Sequence, residues 1–159
     1  MAYEKLQASA AITIYKSDDA NIPNPAAQSI TGSATSISAN KLVDSAAPFA
    51  DVKVGDIVLN TTAGTSATVK AVDSTSQLTL NADIFTAIPG NYILYTQQLD
   101  LLKAGNGCVL YIGVAGNLSV VTVAGNSVIF YNVPVGFFPV QVNKVLSTDT
   151  AAENIVALW

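Results

Sequence analysis

Residues 104–143 read AGNGCVLYIGVAGNLSVVTVAGNSVIFYNVPVGFFPVQVN, forty consecutive positions without an Asp, Glu, Lys or Arg. A membrane-spanning helix needs about 20 unbroken apolar residues, and this stretch does not supply them. Gly105-Asn106-Gly107, Gly113, Gly116-Asn117, Gly125-Asn126, Asn132 with Pro134, and Gly136 break it at short intervals. Val, Ile and Tyr fit a pleated surface, and Gly and Asn accept the positive φ of tight turns, so the pattern predicts successive antiparallel strands. Those strands are expected at 108–113, 118–123, 127–131, 138–142 and 144–146, with another at 155–159. The Ala-Gly-Asn triplets at 115–117 and 124–126 are expected to be hairpin turns.

Working outward, six short strands make a thin sandwich, and the alternating Ala11-Ile12-Thr13-Ile14-Tyr15 is a strand in need of a partner. Pairing the two solves both problems. Between them Pro23 and Pro25 forbid a helix, 29–38 reads as a weak strand or extended connector, and 52–80 runs VKVGDIVLNTTAGTSATVKAVDSTSQLTL. Short strands at 41–43, 57–60, 67–72, 77–80 and 92–95, with Val54-Gly55-Asp56 as a tight entry and Phe49 as a core plug, resemble a small SH3-like or meander barrel. QQLDLLK at 97–103 is a connector. The expected fold class is therefore all-β: a small β-sandwich built from the N-terminal segment 1–28 and the main block 104–159, with an inserted small SH3-like/meander β-barrel at 29–103.

Composition removes most chemistry. There is no His and no Arg, one Cys, and a net charge of −4. Ser-His-Asp and Cys-His nucleophiles, imidazole zinc sites and bidentate phosphate forks are all excluded, and a nucleic-acid backbone is repelled. No cofactor, metal or catalytic residue is expected, and neither nucleic acid nor a membrane is an expected partner. At 50% apolar and 11% charged residues the chain has the means to fold. Cys108 sits in an apolar run and reads as a small core residue. Met1-Ala2-Tyr3-Glu4-Lys5 lacks the basic-then-apolar order of a secretory signal, so the mature chain is expected to start there.

The sharper motifs have plainer explanations. Asp18-Asp19 are adjacent, which suits capping of a turn rather than a calcium cage or a glycosidase pair facing across a cleft. Asp149 and Glu153 would share a face only on a helix, and STDTAAEN reads as a hairpin loop. The glycines at 113, 116 and 125 lack the Lys-Ser/Thr of a phosphate loop. Aromatics are the candidates for contact: Phe130, Phe137, Phe138, Trp159 and Tyr15 form the expected interface. Adjacent strand residues point to opposite faces, so one of Phe137 and Phe138 should face outward. A long charge-free stretch is poorly protected in water and matches the charge-depleted centre of a protein contact.

The C-terminal block also resembles the small virion proteins of tailed phages and gene transfer agents, of the head-spike base and head-decoration type. The elements that carry the resemblance are Leu110-Tyr111-Ile112-Gly113, the turn at Gly116-Asn117, Val120 to Val123, Val133-Pro134-Val135-Gly136, Pro139-Val140, the Thr-rich turn from Thr148 to Ala152, and Ile155-Val156-Ala157-Leu158. The upstream YKSDDANIP at 15–23 is similar to the family's entry segment. The middle block departs from the shortest members. The resemblance implies a non-enzymatic virion structural protein, a head-decoration, cement or spike-base subunit acting by multivalent contact. It implies a homo-oligomer, as a trimer or pentamer, on a virion assembled in the host cytoplasm, with a major capsid protein or a fibre as partner. The alternative is a carbohydrate-binding module of a tail or fibre, with Tyr92, Tyr95 and Tyr111 as stacking platforms.

Overall fold

Alternation along the strands decides which side of each is buried. The computed structural model describes residues 8–23, 28–46, 49–96 and 107–159. The connector expected at 97–103 and the chain start at 1–5 lie outside the described residues. The strands are β1 (Ala11–Thr13), β2 (Gln28–Ala34), β3 (Lys41–Val43), β4 (Ile57–Asn60), β5 (Thr65–Ser74), β6 (Gln77–Leu80), β7 (Gly90–Thr96), β8 (Cys108–Val114), β9 (Gly116–Thr122), β10 (Ser127–Val133), β11 (Gly136–Val145) and β12 (Glu153–Leu158). The chain is all-β, with two six-stranded antiparallel sheets, one of them curled into a half-barrel, an arrangement consistent with a small β-sandwich. It divides into two compact units, Met1–Asp18 with Asp100–Trp159, and Asp19–Leu99.

In the first unit the strand order is β1-β12-β8-β11-β9-β10. The N-terminal strand does find its partner in the C-terminal block: Ala11, Ile12 and Thr13 lie opposite Leu158, Ala157 and Val156. It is shorter than the alternating pattern of 11–15 suggested, although Ile14 N–H still donates to Ile155 O at 3.1 Å. Cys108, Leu110 and Ile112 of β8 point inward with Leu118, Val120, Phe138, Val142, Ile155 and Ala157. These side chains remove apolar area from water at roughly 25 cal/mol per Å², which is what holds the sheet.

Two sequence expectations for this unit are corrected. The strands expected at 138–142 and 144–146 are one strand, β11, because a register shift between Val142 and Lys144 absorbs the polar Asn143 as a β-bulge rather than a turn. Ala115-Gly116-Asn117 is not a hairpin turn, since β11 lies between β8 and β9. Gly116 serves close approach instead: a Cβ there would lie 2.7 Å from Ala152 N, and Asn117 O accepts from Ala151 N–H and Ala152 N–H at 2.9 and 3.0 Å. The second triplet does turn a hairpin, with Gly125 at φ 86° and its N–H donating to Thr122 O at 2.9 Å.

In the second unit the order is β2-β7-β4-β5-β6-β3. Strand β5 bends at register shifts between Val69 and Ala71 and between Val72 and Ser74, which lets it pair with β4 at one end and β6 at the other. The sheet curls until its edges meet at the Ser36–Val43 bridge, reinforced by Thr35 N–H donating to Val43 O at 2.8 Å. Leu42, Phe49, Val58, Leu78, Phe85, Tyr92 and Leu94 fill it. The weakly patterned 29–38 segment contains a full strand, β2, paired along its length with β7. Its Gly32 is required, because a Cβ there would lie 2.7 Å from Asp44 Oδ2 and closer still to Tyr92 Oη.

Those two atoms cannot retreat without breaking the buried bond in which Tyr92 O–H donates to Asp44 Oδ2 at 2.8 Å. Gly32→Ala should therefore destabilise the second unit by about 1–3 kcal/mol, the usual penalty of overpacking, read as a lowered urea midpoint.

Candidate functional site

Four described carboxylates, Asp18, Asp44, Asp56 and Asp73, are hydrogen-bonded within the fold. Asp18 follows β1 and reaches the loop before β12: it accepts from Ser147 Oγ–H at 2.6 Å, Thr148 N–H at 3.0 Å and Thr148 Oγ1–H at 3.0 Å. The Ser147 hydroxyl, then the Thr148 backbone, hold its carboxyl below the ordinary aspartate range. Asp18 is thus the cap that the adjacent-acid pattern suggested. Buried Asp44 accepts from Tyr92 and from Ala46 N–H, and buried Asp56 from Lys53 N–H. Asp73 pairs with Lys41 at 2.8 Å on the surface. Among the described residues no group of three or more His, Cys, Asp or Glu is placed to hold a metal ion.

Cys108 is equally inert. Its thiol is buried in the first unit and donates weakly to Val142 O at 3.5 Å, and burial pushes its pKa up to about 12. A thiolate is the reactive form, so this side chain is a packing residue. Asp149 has a positive φ of 63° in the loop, while Glu153 begins β12, so the two share no helix face.

What the first unit offers a partner is a sheet face. Residues Cys108, Leu110 and Ile112 point inward, so Val109 and Tyr111 point outward. The register then builds rows across the sheet. Thr13 lies opposite Val156, Val156 opposite Tyr111, and Tyr111 opposite Phe137. Ala11, Leu158 and Val109 make the next row. No charged residue occupies these positions. Phe137 is 76% exposed and Tyr111 38%, and their rings stand edge to face at 5.6 Å and 76°. The pair is held upright by its own ring contact, which fixes an apolar ridge before any partner arrives.

The five aromatic candidates separate. Phe137 faces outward. Phe138 is 7% exposed and packs in the core against half-buried Phe130, ring to ring at 4.8 Å. Those two residues stand on β11 and β10 with β9 between them, so their contact spans the curl of the sheet rather than its surface. Phe138 has little to give a partner. Trp159 is half-buried and its backbone is tied to Ser9 and Ala10, and Tyr15 is half-buried beyond β1. The sequence reading missed Val128, Tyr131 and Val135 as exposed apolar groups of the same unit. For Tyr131 the signal is simple alternation, since Phe130 lies opposite buried Leu118 and the next residue turns outward.

The carbohydrate alternative loses a platform, since Tyr92 is 2% exposed and offers no face to a sugar ring. Comparison of the chain with protein-family models, curated proteins and solved structures finds no match.

Two outcomes follow from this geometry. Phe138→Ala should cost about 3–5 kcal/mol of stability, whereas Phe137→Ala should change it by less than about 1 kcal/mol, both read by urea unfolding. The depressed folded pKa of Asp18 means its contribution is present above the ordinary aspartate range and lost as pH falls through the lower folded value. Asp18→Asn should therefore be less stable than the parent at about pH 7, with the gap narrowing as pH falls below the ordinary aspartate value of about 4. A gap of constant size would refute the assignment.

Proposed function

We propose that this chain is a non-enzymatic assembly subunit, a phage virion structural protein of the head-decoration, cement or spike-base class. The observation that carries the reading is the pair of uncharged rows on the outer face of the first unit, with Phe137 projecting beside Tyr111. An isolated exposed apolar residue is ordinary, but a contiguous row across neighbouring strands is the sign of a contact surface. Association would remove this row from water without desolvating a single charge, which is the composition of an interface centre. The virion assignment is supported by the resemblance of the C-terminal block, and the structural bonds of Asp18, Asp44, Asp56 and Asp73, with the burial of the Cys108 thiol, support a role in binding rather than chemistry. Shell subunits repeat, so many weak copies of one contact give strong attachment.

The test is direct. Purified heads of a tailed phage whose genome encodes this chain should be labelled by an antibody against it, and a label absent from the particles overturns the virion assignment. Where the heads can be stripped and re-decorated, Phe137→Ser should weaken rebinding roughly tenfold or more, the effect of an aromatic hot spot, while leaving the urea midpoint near that of the parent.

A further inference from the structure

We propose that β10 is a self-pairing edge, and that two copies of this chain join their Ser127–Tyr131 segments antiparallel about a two-fold axis through Ile129. Among the described residues the sole strand neighbour of β10 is β9. The hairpin closes with Thr122 N–H donating to Asn126 O at 2.9 Å. Reciprocal bonding in an antiparallel ladder recurs every second residue. Given the observed register of Val128 with Val120 and Phe130 with Leu118, the backbone groups of Val128 and Phe130 face β9. Those of Ser127, Ile129 and Tyr131 face away from it.

Proteins normally protect such a row with charge, proline, shortness or closure. In the first sheet the other edge, β1, is only three residues long. In the second sheet β3 is equally short, and the Ser36–Val43 bridge ties it to the residues just beyond β2. β10 has seven residues, SVIFYNV, with no charge and no proline. Its bulge between Phe130 and Val133 ends the regular stretch at one side, leaving Ser127 to Tyr131 as the usable template.

The occupant that this template fits is itself. With Ile129 on the axis, Ile129 bonds reciprocally to Ile129 of the second copy, and Ser127 to Tyr131 of the second copy, so every donor in the open row meets an acceptor. Val128, 37% exposed, then lies opposite Phe130 of the second copy, a pair of an aromatic and a β-branched side chain of the kind that stabilises sheets. The chain carries a net charge of −4, so two copies repel in general, but the forty-residue stretch containing β10 adds nothing to that repulsion. A two-fold contact uses the same patch twice and closes without leaving a free edge. This inference concerns a different surface from the Phe137 ridge and stands independently of the virion assignment.

Light scattering and sedimentation of the full chain test it. The parent should pass from 16.4 kDa to twice that mass as concentration rises. Ile129→Pro removes an N–H that faces away from β9, and should weaken dimerisation tenfold or more with the far-ultraviolet spectrum unchanged. Phe137→Ser should leave the dimer intact. If Ile129→Pro fails to fold, the double variant Ser127→Lys with Tyr131→Lys supplies the same reading by adding like charges to the edge. Ile129→Cys should form a disulfide-linked dimer under mild oxidation, because residues reciprocally bonded across such an axis have Cα atoms about 5.5 Å apart. Buried Cys108 stays out of that exchange. A parent that remains monomeric up to millimolar concentration overturns the inference. So does association lost with Phe137→Ser but not with Ile129→Pro, which would leave the ridge as the self-contact. Binding of heads lost with Ile129→Pro in a chain that is otherwise monomeric would assign the edge to a foreign strand, and would also overturn it.

Discussion

The period-two alternation along β8 is the constraint on which the first unit depends. Cys108, Leu110 and Ile112 are buried inward, and the same pleat obliges Val109 and Tyr111 to face out. A shift of one residue would exchange the two sets. Both neighbours of β8 respect that phase: Ile155 and Ala157 of β12 and Phe138 of β11 enter the core, while Val156 and Phe137 join Tyr111 outside. Core and apolar ridge are thus two sides of a single register choice. The ridge cannot be made polar by slippage without exposing the core.

The polar groups follow an economy of their own. With few charges and no imidazole or guanidinium, acceptors are met by hydroxyls, side-chain amides and backbone N–H groups. Tyr92 meets buried Asp44, Asn60 Nδ2–H donates to Ile84 O at 2.6 Å, and at the surface the Ser147 and Thr148 hydroxyls meet Asp18. An unpaired buried polar atom costs roughly 1–3 kcal/mol, so these bonds protect the fold more than they add to it.

The two units also differ in how they treat strand edges. The inserted unit curls until the residues beyond β2 meet β3 at the Ser36–Val43 bridge. The first unit keeps a wide sheet, with an outer face rich in apolar side chains and an open strand at β10.

Much of this was legible from residues alone. Short apolar or alternating runs and Gly/Asn/Pro punctuation placed the strands around Leu42, Val58, Val69, Leu78 and Leu94, because each is a local pattern. The pairing of the strand near Ile12 with the closing strand near Ala157 was legible as well, since a lone alternating segment needs a partner. Sequence also required that Phe137 and Phe138 face opposite sides. Only the tertiary structure decided which of them faces out, because that depends on the phase set by β8. It alone showed that Asn143 lies in a bulge rather than a turn, and that β11 comes between β8 and β9, so Gly116 makes a close approach rather than a hairpin. Strand order and bulges are fixed by contacts between residues distant in the chain, and local propensity carries no record of them.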